Sequence, residues 1–152
     1  MADNALSPEP HAERRRWMAV LARASGDEIA ARLGTLPAYT NLRGPEAGLV
    51  MLRGRVGGGG GAFNVGEMTV TRCTVRIESG QVGHAYVAGR DARQAELAAV
   101  LDAMLQDPAE APALQANVIG PLASMQQARR SDTAAKAAAT QVQFFAMRNM
   151  RA

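Results

Sequence analysis

The chain has 152 residues, is 47% hydrophobic and 20% charged, carries a formal net charge of +3 and contains one cysteine. That length fits one domain spanning residues 1–152, and the apolar fraction is that of a folded domain, which excludes disorder along the whole chain. A lone Cys73 excludes an intramolecular disulfide framework and a Cys-only zinc site. Residues 1–7 form a loose polar start. Ser7-Pro8-Glu9-Pro10 then carries a helix cap and first-turn prolines. Trp17, Val20, Leu21 and Ala24 follow at spacings of three and four, predicting an amphipathic helix to about Arg23. Arg14-Arg15-Arg16-Trp17-Met18 resembles a twin-arginine export signal only superficially. Its apolar stretch stops at Arg23, so the triplet reads as the solvated basic edge of that helix. Ser25-Gly26-Asp27-Glu28 marks a break and a new cap, opening a short helix with Ile29 and Leu33 that ends near Gly34.

The period then changes. Leu49-Val50-Met51-Leu52, between Gly48 and Val56, predicts a buried strand of about eight residues. Five glycines, Gly57 to Gly61, follow it. A second strand runs from Met68 to Ile77 and is rich in β-branched residues. Alternation places Thr71, Cys73, Val75 and Ile77 on a core face, and Arg72, Thr74, Arg76 and Glu78 on a face that is wet or partner-bound. Ser79-Gly80 turns the chain back into a third strand, Val82 to Ala88, completing an antiparallel hairpin. Asp91 caps a helix whose stripe is Leu97, Leu101, Met104 and Leu105. Residues 107–120 read as a Pro- and Ala-rich linker. Gly120-Pro121 opens a final Ala-rich helix toward Asn149. At about 28 residues it would be about 42 Å long, more than the width of such a domain, so part of it should project toward another subunit. The expected fold class is α+β: a small antiparallel sheet of three to four strands flanked by N-terminal and C-terminal helices.

The chemistry-bearing residues are few. Gly57 and Gly58 open a run whose backbone N–H groups could cradle phosphate, which leaves a stand-alone nucleotide- or phosphate-binding protein as the alternative function. The Walker form needs Gly-Lys-Ser/Thr and a helix after it, whereas Ala62-Phe63-Asn64 and a strand follow here. His11, His84 and Cys73 show no metal-ligand spacing. His84 on the third strand reads as a hydrogen-bonded surface or interface residue. Arg72 and Arg76 on one strand face, with Arg90 beside the Asp91 cap, could hold a phosphate or phosphonate; ion pairs across a subunit interface explain them equally. Basic residues are spread out and aromatics are 4%, which argues against nucleic acid. No catalytic residue can be named from these patterns.

Longer stretches carry a resemblance. These are Arg16-Trp17-Met18-Ala19-Val20-Leu21, Gly54-Arg55-Val56-Gly57-Gly58, Phe63 to Cys73, Gly83 to Asp91, Ala95-Glu96, Asp102 to Gln106 and Val142-Gln143-Phe144-Phe145. Together they resemble the PhnG family, the small subunit of the bacterial carbon–phosphorus lyase core complex, over nearly the whole chain; the unbroken glycine run departs from the family pattern. The resemblance implies a non-autonomous cytoplasmic subunit in phosphonate catabolism. Its implied partners are the PhnI, PhnH, PhnJ and PhnL subunits in a hetero-oligomer, with no nucleic acid and no membrane. It implies no cofactor bound by this chain alone. The complex would be a transferase: an alkylphosphonate displaces adenine from ATP, giving α-D-ribose 1-methylphosphonate 5-triphosphate from methylphosphonate. The carbon–phosphorus bond is broken later, by PhnJ.

Overall fold

A computed structural model describes residues 10–55 and 59–142. The order is α1 (Pro10–Leu21), α2 (Gly26–Ala30), β1 (Tyr39–Gly54), β2 (Phe63–Ile77), β3 (Val82–Ala88), α3 (Ala92–Met104), α4 (Ala111–Leu114), a π-helical turn (Gln115–Ile119) and α5 (Gly120–Ala139). The class is α+β. The strands form one antiparallel sheet in the order β1-β2-β3. Gly80, with φ +97°, makes the tight return between β2 and β3 that Ser79-Gly80 announces.

Alternation on β2 builds the core. Thr71, Cys73, Val75 and Ile77 are buried, and with Ala85 and Val87 of β3 they face α3. Nearly every residue of α3 from Gln94 to Ala103 is buried, so this helix is the middle layer rather than a surface helix. It lies close to β3 because residue 83 is glycine: a Cβ there would stand 1.9 Å from the Ala99 carbonyl oxygen. Trp17 and Leu21 of α1, Ile29 of α2, and Val118, Ile119 and Leu122 complete the cluster. Ser25 and Glu28 cap the start of α2 reciprocally, each side chain accepting from the other's backbone N–H. The end of α1 is closed by the buried Gln94, whose Nε2 donates to the Ala24 carbonyl at 2.6 Å and the Ala22 carbonyl at 3.2 Å.

Several expectations need correction. The first strand is not eight residues but sixteen, beginning at Tyr39. It crosses Gly44-Pro45 through two register shifts, and a proline is tolerated there because β1 is an edge strand. Nor is its apolar run buried: Leu49, Met51, Leu52, Phe63 and Val65 are between 40% and 63% exposed. β3 pairs with Val70–Arg76 of β2, and the Gly89 N–H reaches the Thr69 carbonyl, so Phe63–Met68 pair with β1 alone as an exposed two-stranded ribbon. The linker expected over 107–120 is a short turn and then helix from Ala111 onward. Pro121 can follow because the π turn re-routes the ladder: the Gly120 N–H donates to the Gln115 carbonyl, five residues back. The final helix ends at Ala139 rather than near Asn149, where the chain lies outside the described residues. From Gln127 onward α5 is exposed. The loose start at 1–7, the Ser7 cap, Gly57 and Gly58 also lie outside the described residues. No described helix is long and apolar enough to cross a membrane.

Candidate interaction surface

The sheet has one face under α3 and one open face. Cross-strand pairing arranges the open face in rows: Glu46, Arg72 and Tyr86; Arg43, Thr74 and His84; Thr40, Arg76 and Val82. Three residues singled out from sequence, Arg72, Arg76 and His84, are therefore neighbours on one surface. Glu46 bridges two guanidiniums, accepting from Arg72 Nη2 at 2.9 Å and from Arg43 Nε at 2.5 Å. Arg72 Nε is buried and has no hydrogen-bond partner among the described residues. Thr74 Oγ1 and His84 Nδ1 stand 3.1 Å apart. Arg76, His84 and Tyr86 are exposed.

Arg90 and Asp91 are not part of this group. They follow β3 past Gly89, whose N–H donates to the Thr69 carbonyl at 2.9 Å. The Asp91 carboxylate caps α3, accepting from the Gln94 N–H at 2.9 Å, and Arg90 is exposed beside it. Gly59 to Gly61, the described part of the glycine run, are exposed in the connection between β1 and β2. A strand follows them, so no helix N-terminus stands there to meet a phosphate.

Sequence reasoning passed over the most constrained polar residue. Asp102 is fully buried in α3. Its Oδ1 accepts from Arg14 Nε at 3.1 Å and from Trp17 Nε1 at 2.9 Å. Its Oδ2 accepts from Arg14 Nη2 at 2.7 Å and from the His84 backbone N–H at 2.9 Å. One carboxylate thus ties α1 and β3 to α3. The signal was available: a lone carboxylate inside the apolar run from Ala98 to Leu105 needs buried donors. The same contact corrects the reading of Arg14 as a solvated residue. The hydrogen bonds that Arg14 donates to Asp102 raise its guanidinium pKa above the ordinary value, outweighing desolvation.

The open face can hold carboxylates or other anions through guanidinium groups, and it can bury the Tyr86 ring. Cys73 is on the buried face, and burial pushes its thiol upward, away from the thiolate a nucleophile requires. Among the described residues no group of three or more His, Cys, Asp or Glu is placed to hold a metal.

The family model described as "Phosphonate metabolism protein PhnG" matches residues 12–149. The chain belongs to the PhnG family. The match takes in the core, the open sheet face and the ribbon alike. A Rhizobium meliloti (strain 1021) protein named alpha-D-ribose 1-methylphosphonate 5-triphosphate synthase subunit PhnG is 42% identical over 139 residues. The aligned region covers 90% of this chain and 88% of that PhnG relative.

Proposed function

We propose that this chain is the PhnG-type subunit of an α-D-ribose 1-methylphosphonate 5-triphosphate synthase and acts within the assembled complex rather than alone. The observation that carries this reading is the 42% identity to a named subunit of that synthase across 90% of the chain. The exposed ribbon supports it, because a two-stranded ribbon standing free in water is marginal until something packs on it. The composition of the open sheet face supports it as well, since Tyr and Arg are favoured anchors at protein interfaces. In this reading the partners are PhnI, PhnH, PhnJ and PhnL. The reaction of the complex is transfer of a ribosyl triphosphate from ATP to an alkylphosphonate, with adenine leaving. Arg72, Arg76 and His84 then serve as interface or anion contacts, and this chain supplies no self-sufficient catalytic group.

Co-expression with tagged PhnI, PhnH and PhnJ tests the proposal. The expected result is recovery of this chain in a complex of fixed stoichiometry, while the chain purified alone releases no adenine from ATP and methylphosphonate. A chain that stays apart from those subunits, or that turns over the substrates unaided, would overturn it.

A further inference from the structure

A second surface lies away from the sheet. Between α1 and the π-turn–α5 segment runs an open groove of about 640 Å³. Ala19, Val20 and Ile119 supply apolar lining, and Arg16, Arg23 and Arg130 carry its charge. Among the described residues no carboxylate lines it. All three arginines are exposed; Arg23 donates to the Ala19 carbonyl at 3.0 Å. Of the nearby charges, Glu13 lies beside Arg16 at the α1 end, and Arg129 is held by Glu28. A further hollow of about 390 Å³ continues along α5, sharing Arg130 and ending at Ala137.

We infer that this groove receives an amphipathic helix with an acidic face, contributed by another subunit of the synthase; the inference rests on the subunit function proposed above. Shape selects a helix over a small anion. The helical path from Gln115 to Ala137 is about 34 Å long. A phosphate would engage one point of it and leave the apolar lining uncovered, whereas a helix of several turns covers lining and rim together. Charge selects the face. Arg23 and Arg130 line the groove with no described carboxylate beside them, and such guanidinium groups are matched by Asp and Glu, which they bind with paired donors.

Charge also selects a different chain over a second copy. α1 sets Glu13 against three consecutive arginines, and α5 sets Asp132 against Arg129, Arg130 and Lys136. The acidic residues of α2, Asp27 and Glu28, are paired with Arg93 and Arg129; of those on α3, Asp102 is buried and Glu96 accepts from Asn41 Nδ2. The described helices therefore offer no free acidic stripe to a neighbouring copy. Residues 143–152 add Arg148 and Arg151 and no acidic side chain, so their side chains carry the same sign as the groove.

The test compares the full chain with Arg16→Glu/Arg130→Glu and Arg16→Lys/Arg130→Lys, each co-expressed with tagged PhnI, PhnH and PhnJ. Both side chains are exposed, so circular dichroism should show the same fold for all three. The wild type and the lysine variant should assemble, with affinity that falls as salt rises. The charge-reversed variant should bind at least about tenfold more weakly and lose most of that salt dependence. Equal assembly and equal salt response in the reversed variant would overturn the groove inference and leave the subunit reading standing. Failure of the wild type to assemble would overturn the subunit reading itself. A dimer of the isolated chain that the charge reversal abolishes would make a second copy the occupant and refute the inference.

Discussion

Replacing Asp102 by alanine removes the acceptor of four hydrogen bonds that tie two elements, α1 and β3, to α3. The Trp17 indole N–H is buried and the His84 backbone N–H is partly buried. Each donor left unpaired costs about 1–3 kcal/mol. The Arg14 side chain is 30% exposed and can turn toward water, so its loss is discounted. The sum over these two donors, about 2–6 kcal/mol, brackets the range for breaking one side of a buried ion pair. For a chain of this size a loss near the middle of that range corresponds to a fall of about 8–16 °C in the thermal midpoint. Asp102→Asn keeps the shape and one acceptor oxygen, and should fall between the two. Urea unfolding followed by circular dichroism and by Trp17 fluorescence reads both variants. A loss below about 1 kcal/mol for the alanine variant would refute the reasoning, because it would mean α1 does not depend on this carboxylate.

Gly83→Ala should destabilise by at least about 3 kcal/mol in the same unfolding assay, because the added carbon meets backbone atoms of α3, which no rotamer change can move. Glu28 is held below its ordinary value near 4.5, chiefly by the Arg129 hydrogen bond and next by the Ser25 backbone N–H. Its stabilisation is therefore present above that value and lost as pH falls through the depressed one. Glu28→Gln retains the cap but not the charge. The variant should melt below the wild type at pH 6, and the gap should close as pH falls below the ordinary carboxylate value and through the depressed one; a gap that does not change with pH would contradict the assignment. Arg72→Ala should leave the melting temperature nearly unchanged, since its ion pair with Glu46 is exposed on both sides. In pull-down titrations with the partner subunits the same variant should weaken assembly by about 2 kcal/mol, and unchanged assembly would remove Arg72 from the interface.

What could be read in the sequence was what local chemistry decides. The β2–β3 hairpin follows from strict alternation and a Ser79-Gly80 turn, and the α3 start follows from the Asp91 cap. Cys73, Val75 and Ile77 are buried where a period of two puts them. What could not be read depends on the tertiary neighbourhood. The apolar run at Leu49–Leu52 looks like core, yet it pairs with the stretch of β2 that extends beyond β3, so the same hydrophobicity becomes exposed surface. Tyr39–Gly48 carries Gly44 and Pro45, which mask its strand character; pairing with β2 overrides them. The helix over 111–119 hid behind Pro112 and Pro121, one at a helix start and the other eased by a π turn. On the open face the sequence brought together Arg72 and Arg76; their alignment with Glu46, Tyr86 and His84 is a matter of register, which only pairing supplies.

The most direct measurement is product formation by the synthase complex prepared with and without this chain. Ribose 1-methylphosphonate 5-triphosphate can be followed by phosphorus NMR, with adenine release as the matching readout. The account predicts synthesis when the chain is present and its loss when the chain is left out, restored by adding the folded chain back. A complex that forms the product at an undiminished rate without it would contradict the account.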